Sequence, residues 1–147
     1  MYFRNSIVTI FTLFFLSLPV FAAETPTSIN GGKIVSADEV KGLIGKASLY
    51  DMRKEENFGK GHLPGAKPLP YSGKSENVAN FDIKQDQFDA SKLPGDKTAS
   101  IVFYSDGPNG WKSYKASVQA INAGYKNVMW YRGGTGEWES KGWKLEK

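Results

Sequence analysis

The loop from Ser105 to Lys112, with the sequence SDGPNGWK, combines residue types that can bind an anion. Its glycines permit tight turns that direct several backbone N–H groups towards one point, and the helix predicted to begin at Trp111 carries partial positive charge at its N-terminus. Lys112 adds a cation, whereas Asp106 places a negative charge at the rim. The pattern predicts a site for a small oxyanion (sulfate, thiosulfate or phosphate) or for the carboxylate of a protein partner. The predicted anion-binding loop consists of Ser105, Asp106, Gly107, Pro108, Asn109, Gly110, Trp111 and Lys112.

Ser105 is also a candidate nucleophile, but the sequence offers it few partners. A catalytic serine needs a neighbouring base, usually a histidine that a carboxylate orients. The chain has one histidine, His62, and Asp106 is too weak a base to replace it, so Asp106 is predicted to stabilise the turn through its side chain. With one histidine and no cysteine, the chain lacks the usual ligands of a transition-metal site, and neither a metal nor another cofactor is expected.

Strands and helices that alternate along the chain must position this loop. Predicted strands are 47–51, 100–104 and 127–131, and predicted helices are 36–45, 111–123 and a last turn or two at 137–141. The first helix opens with a capping box in which Ser36 is the N-cap and Glu39 follows three residues later. Short turns or a helix are expected in the polar region 72–96. The alternation predicts an α/β fold with a parallel sheet covered on both faces.

The first 22 residues are predicted to be a signal peptide. A short cationic start precedes an apolar run from Ile7 to Val20, which is shorter than the roughly 20 residues that span a bilayer as a helix. Small residues at the expected spacing favour cleavage before Ala23, which would leave 23–32 as a flexible lead-in to a single domain at 33–147. The protein is therefore expected to be periplasmic or secreted, with membrane attachment only if the signal is uncleaved.

Composition excludes several classes of partner and protein. The formal net charge is +4, and the lysines and arginines are dispersed, so nucleic acid is not an expected partner. Although an oxidising compartment permits disulfides, the chain has no cysteine, and its fold must depend on the hydrophobic core alone. A domain of this length is large enough to bury such a core.

Three segments resemble the rhodanese-like family. LYDMRKEENFGKGHLPGAKPLPY, beginning at Leu49, is similar to the first family signature, and GYKNVMWYRGGTGEWESKGW, beginning at Gly124, is similar to the closing one. IVFYSDGPNGWKSYKAS lies between them, where the family has its active-site loop. The resemblance implies a three-layer α/β domain with a central, mostly parallel five-stranded sheet and helices on both faces. It also implies that Asp51, Arg53 and His62 give structural support to the loops.

The resemblance fails where the family carries its chemistry. Some members have a loop of the form Cys-x-Gly-x-x-Cys-x-x-Ser-x-x-Ala-Ala, which this chain matches at Gly107, Ser113 and Ala116. Ser105 stands at the position of the sulfur-carrying nucleophile, and Gly110 stands at the second cysteine position. Sulfur transfer by the family's mechanism needs a thiolate, and a serine hydroxyl is too basic to form its equivalent or to carry a sulfane sulfur.

Three functional hypotheses follow from the sequence. The first is a non-catalytic module that binds an oxyanion or a periplasmic protein partner through the former active-site face. The second is an enzyme, either a sulfurtransferase of the thiosulfate type or a phosphate or ester hydrolase that uses the loop as an oxyanion site. The third is a purely structural accessory domain. Anion titration separates the first from the third, and turnover separates both from the second.

Overall fold

The computed structural model describes residues 16–19 and 22–147 and shows a five-stranded parallel sheet, which confirms the predicted fold class. Most of the predicted signal peptide, residues 1–22, lies outside the described residues. The strands are β1 (Lys33–Ile34), β2 (Ser48–Asp51), β3 (Lys67–Pro68), β4 (Ser100–Tyr104) and β5 (Asn127–Tyr131), in the spatial order β1-β5-β4-β2-β3. The helices are α1 (Ala37–Leu43), α2 (Glu55–Lys60), α3 (Trp111–Asn122) and α4 (Gly134–Ser140).

Both faces of the sheet are covered because each central strand buries side chains alternately on its two sides. Ile101 and Phe103 of β4 belong to a core with Ala116 and Ala120 of α3. Val102 and Tyr104 point the other way, into a second core. Residues of α1 and α4 complete that second core, among them Ala37, Val40 and Trp138. The single-residue alternation along β4 thus places α3 on one face and α1 and α4 on the other.

The beginning of α1 follows from local hydrogen bonds. The Ser36 hydroxyl accepts a hydrogen bond from the Glu39 amide at 3.2 Å, and the Glu39 carboxylate accepts one from the Ser36 amide at 2.7 Å. These reciprocal bonds satisfy two N–H groups that have no partner inside the helix, which confirms the predicted capping box. Lys33 binds the same carboxylate, and the three contacts lower the pKa of Glu39 to about 2.

Two helices differ from the elements expected from sequence, α2 and α4. Helix α2 was not predicted, because its six residues contain one apolar side chain, Phe58, and therefore no helical repeat. The polar region forms two 3₁₀ turns, Ile83–Gln85 and Ala90–Lys92, so of the two alternatives expected there the structure shows the short turns. Helix α4 begins at Gly134, three residues before the predicted start. Within the described part of the chain, no helix is long and apolar enough to cross a membrane.

The topology brings the ends of the central strands to one edge. Because β2, β4 and β5 are parallel, Asp51, Tyr104 and Tyr131 lie side by side in the ladder at their carboxyl ends. The loop that begins at Ser105 leaves the sheet there and leads into α3. Ligand sites of open α/β sheets form at this edge.

Candidate anion site at the carboxyl end of the sheet

A cavity of about 240 Å³ lies between the loop after β4 and the segment after β3. Serine, asparagine, tyrosine and lysine side chains give it a polar wall with two cations. The lining residues are Tyr71, Gly73, Asn77, Ser105, Asp106, Asn109, Gly110, Trp111, Lys112 and Lys115. We call this space the loop cavity. Its volume suits a small ligand of a few heavy atoms.

Ser105 is buried at 2% exposure and lies at the start of the loop. Its Oγ accepts a hydrogen bond from the Ser113 amide at 2.9 Å, in the first turn of α3. Among the described residues, no group accepts the Ser105 hydroxyl proton, which can therefore be donated to a ligand. His62 does not line the loop cavity, so the structure does not bring the only histidine to Ser105.

Gly110 keeps the loop tightly closed. Its amide donates to the carbonyl of Gly107 at 2.7 Å. A Cβ atom on Gly110 would lie 2.7 Å from the Cβ of Ser105 and 2.9 Å from the Gly107 oxygen, closer than side chains tolerate. The amides of Asp106, Asn109 and Lys112, three residues that line the loop cavity, have no acceptor in the described chain.

Lys112, which the sequence analysis proposed as a cation of the site, lines the loop cavity. It lies half-buried in the second position of α3. Burial lowers the pKa of Lys112, and the positive charge of Lys54 lowers it further, while Asp106 and Asp51 act in the opposite direction. A bound anion would offset both unfavourable effects.

A second cation, Lys115, was missed by the sequence analysis. It is buried at 2% exposure, and its Nζ donates to the backbone oxygen of Ser75 at 3.0 Å and to its hydroxyl at 2.9 Å. The carboxylate of Asp86 is 3.9 Å from Nζ. Burial lowers the pKa of Lys115, and Asp86 partly restores it. The sequence did contain a signal for Lys115, which is a charged residue within a stretch of helix that is otherwise buried. Because charged groups are buried only with partners, such a residue indicates a polar partner nearby.

The structure divides the predicted loop between two faces. Six of the eight residues line the loop cavity, whereas Gly107 and Pro108 line a different cavity beside Arg132. Asp106 reaches both cavities and is exposed. The Asp106 side chain accepts no hydrogen bond from any described residue, so it does not stabilise the turn as the sequence suggested. The Asp106 backbone oxygen instead accepts a hydrogen bond from the Gly136 amide at 2.9 Å.

Residues 23–25, which we call the N-terminal strap, hold the outer side of the loop. The amide and hydroxyl of Thr25 both donate to the Pro108 oxygen, at 2.8 and 2.6 Å. The Trp111 indole donates to the Ala23 oxygen at 2.9 Å, and Arg132 binds Thr25 and the Glu24 carboxylate. These residues were expected to belong to a flexible lead-in, but they pack against the loop.

Asp51 and Arg53 form a buried ion pair at the end of β2. The Arg53 guanidinium donates to both Asp51 oxygens, with a shortest distance of 2.7 Å, and also to the Gly61 carbonyl at 2.6 Å. Burial would lower the pKa of Arg53, but the hydrogen bond and charge of Asp51 raise it overall. The Tyr104 hydroxyl donates to Asp51 and accepts from the Leu63 amide, so the pair joins the end of β2 to the turn after α2.

His62 lies in that same turn. Its ring stacks on Phe58 with the centroids 3.8 Å apart, and Nδ1 is 3.1 Å from the Phe58 carbonyl. Its backbone forms a two-bond bridge with Glu146. These contacts connect α2 to the C-terminal segment.

Comparisons with known proteins agree with this architecture. The protein-family model described as the rhodanese-like domain matches residues 36–141 of this sequence. A human thiosulfate:glutathione sulfurtransferase is 28% identical over 116 residues, a match that covers 76% of this chain and 96% of the relative.

Solved structures show the same fold. A human single-domain sulfurtransferase superposes with a TM-score of 0.52 and 26% identity, covering 74% of this chain and 96% of that one. A Bacillus halodurans protein gives a TM-score of 0.60 at 19% identity, covering 78% and 76%. A thiosulfate sulfurtransferase from Pseudomonas aeruginosa gives 0.56 at 24%, covering 78% of this chain, which spans 20% of that longer protein. The chain belongs to the rhodanese-like domain family, and its sequence contains no cysteine.

Proposed function

We propose that this protein is a non-catalytic rhodanese-like module that binds a small oxyanion in the loop cavity. The observation that carries the proposal is the convergence of two lysines, Lys112 and Lys115, on a closed loop that has no thiol. Free backbone amides and the Ser105 hydroxyl supply further donors. Sulfate, thiosulfate and phosphate match these donors in charge and size.

The contacts of Ser105 support binding rather than hydrolysis. A serine nucleophile must give its proton to a base, yet no hydrogen bond joins Ser105 to Lys115 or to His62 among the described residues. The Nζ of Lys115 is instead held by Ser75 as a hydrogen-bond donor. The arrangement favours a protonated lysine that attracts an anion.

We place the module outside the cytoplasm. Support comes from the cationic start, the apolar run of Ile7–Val20 and the small residues before Ala23. Cleavage before Ala23 would preserve the N-terminal strap, whose residues stabilise the anion-binding loop from outside. Export and an intact site are therefore compatible.

Calorimetric titration of sulfate and thiosulfate into the chain from Ala23 onward tests the binding proposal. This chain contains every element of the described fold. We expect Lys112→Met to weaken sulfate binding about three- to tenfold, since a charge-assisted contact to a half-buried lysine is worth about 1 kcal/mol. Lys84→Met is the matched control because Lys84 is exposed and lines neither the loop cavity nor its neighbours. No sulfate binding by the unmodified chain would overturn the proposal.

Sulfur transfer from thiosulfate to cyanide tests the loss of catalysis. We expect no turnover by the unmodified chain and measurable turnover by Ser105→Cys, since the new thiol would receive the Ser113 amide bond and lie at the N-terminus of α3. Gly110 must be retained, because a side chain there would collide with residue 105. Turnover by the unmodified chain would contradict a non-catalytic role.

A further inference from the structure

We propose that the anion site has a second compartment, centred on Lys54, that receives a second anionic group of the same ligand. This inference rests on the proposed function and extends it from an inorganic oxyanion to a class of organic ligand. The ligand class is a short organic molecule with an acidic group at each end, such as a sulfonate or phosphate joined to a carboxylate.

The second compartment is a cavity of about 370 Å³ beside the loop cavity. Its walls are Lys54, Pro70, Tyr71, Ser72, Gly73 and Lys112. Three of these residues, Tyr71, Gly73 and Lys112, also line the loop cavity. Lys112 therefore faces both spaces, and Gly73 has no side chain to separate them.

The charges around the second compartment favour a second anion. Neither Lys54 nor Lys112 forms an ion pair with any described carboxylate. Of the two acidic residues that follow Lys54 in the sequence, Glu55 forms no ion pair with a described residue, and Glu56 is paired with Lys60 at 2.7 Å. Lys54 is close enough to Lys112 for their repulsion to contribute to the lowered pKa of Lys112. Two unpaired cations that repel each other are stabilised by an anion that contacts both.

The two compartments differ in what they can recognise. The loop cavity offers a buried cation, free amides and a hydroxyl, which suit a small group with several acceptor oxygens. The second compartment offers an exposed lysine beside Pro70 and Ser72, which suits a solvated carboxylate. We therefore assign the sulfonate or phosphate end to the loop cavity and the carboxylate to Lys54.

Two ligands with the same number of carbon atoms provide the test. Propane-1-sulfonate has one acidic group, and 3-sulfopropanoate has a carboxylate at the other end. At low ionic strength, we expect 3-sulfopropanoate to bind about two- to fivefold more tightly, the gain that an exposed ion pair provides. Lys54→Met should abolish this difference, because it weakens the binding of 3-sulfopropanoate more than that of propane-1-sulfonate, whereas Lys84→Met should preserve it.

The outcomes distinguish this inference from the proposed function. Equal binding of the two ligands, or a preference that survives Lys54→Met, would overturn the second compartment while sulfate binding continued to support the loop cavity. Failure of sulfate and both organic ligands to bind would overturn both proposals. Chemical-shift changes at Lys54 and Ser72 that occur only with 3-sulfopropanoate would support the assignment of the two ends.

Discussion

At the scale of single residues, Lys115 shows how a cation is kept in the interior. Asp86 accepts hydrogen bonds from the Ser75 amide and hydroxyl, the Lys74 amide and the Tyr71 hydroxyl. Burial would raise the pKa of Asp86, but these hydrogen bonds lower it overall. The resulting carboxylate is 3.9 Å from Lys115, so the network holds the lysine beside the loop cavity while only partly compensating its charge.

Gly110 allows a prediction at the same scale. We expect Gly110→Ala to destabilise the domain by about 1–3 kcal/mol, the usual effect of forcing an atom into a packed site. The added Cβ would meet Ser105 and the Gly107 oxygen, and relief would break the bond from Gly110 to Gly107. Urea unfolding and sulfate titration measure the two consequences, lower stability and weaker binding.

Gly95→Ala is the matched control for this prediction. A Cβ on Gly95 would meet no atom within 4 Å, and its φ lies outside the left-handed region. It should change stability by less than about 1 kcal/mol. If Gly110→Ala behaved like Gly95→Ala, the loop would not be as tightly closed as described.

At the scale of elements, the N-terminal strap acts as a brace for the loop. We expect Thr25→Val, which keeps the shape of the side chain, to lower the free energy of unfolding by about 1–2 kcal/mol. The substitution removes the bond to the Pro108 oxygen at 2.6 Å and the acceptor of Arg132 Nε at 3.1 Å, and Thr25 is 3% exposed. Thermal and urea unfolding measure the loss.

Thr27→Val serves as the control for the strap, because Thr27 is exposed and its hydroxyl makes no hydrogen bond within the described chain. It should leave stability within about 0.5 kcal/mol of the unmodified domain. Equal effects of the two substitutions would show that the strap does not brace the loop.

The elements also show what the sequence could and could not predict. β4 and β5 were predicted with correct bounds because their apolar runs are bounded by turn residues. The loop residues followed from their glycines and from the resemblance. The partners of Lys115 and the cavity wall at 71–77 could not be predicted, because their position depends on how an irregular segment crosses α3. The strap was missed because its contacts are made across more than 80 residues of sequence.

At the scale of the whole molecule, the fold rather than the composition brings positive charges together in one place. The net charge of +4 is modest, and most lysines are exposed or paired. The fold nevertheless places Lys112 and Lys115 in one cavity, on the first two turns of α3. Burial lowers the pKa of both lysines. At alkaline pH, Lys112 and Lys115 of the free protein therefore lose their protons more readily than an exposed lysine does.

This arrangement predicts that sulfate binding is coupled to proton uptake. A bound anion favours the protonated lysines and raises their pKa, so the complex holds more protons than the free protein at pH values just below the ordinary lysine value of 10.5. Raising the pH through the lowered pKa values must therefore weaken sulfate binding, and this decline should begin before pH 10.5. Titrations at pH 9.5 in two buffers of different ionisation enthalpy should show proton uptake, with little uptake at pH 7.5.

Lys115→Met identifies the buried group that takes up the proton. The variant should bind sulfate about ten- to a hundredfold less tightly at pH 7.5, because a hydrogen bond to a charged group is worth about 1.5–3 kcal/mol. It should also show less proton uptake at pH 9.5, a change that general loosening of the fold would not produce. Urea unfolding at pH 7.5 verifies that the variant is folded. Unchanged uptake would assign the titration to Lys112 and remove Lys115 from the anion site, even if the affinity had fallen.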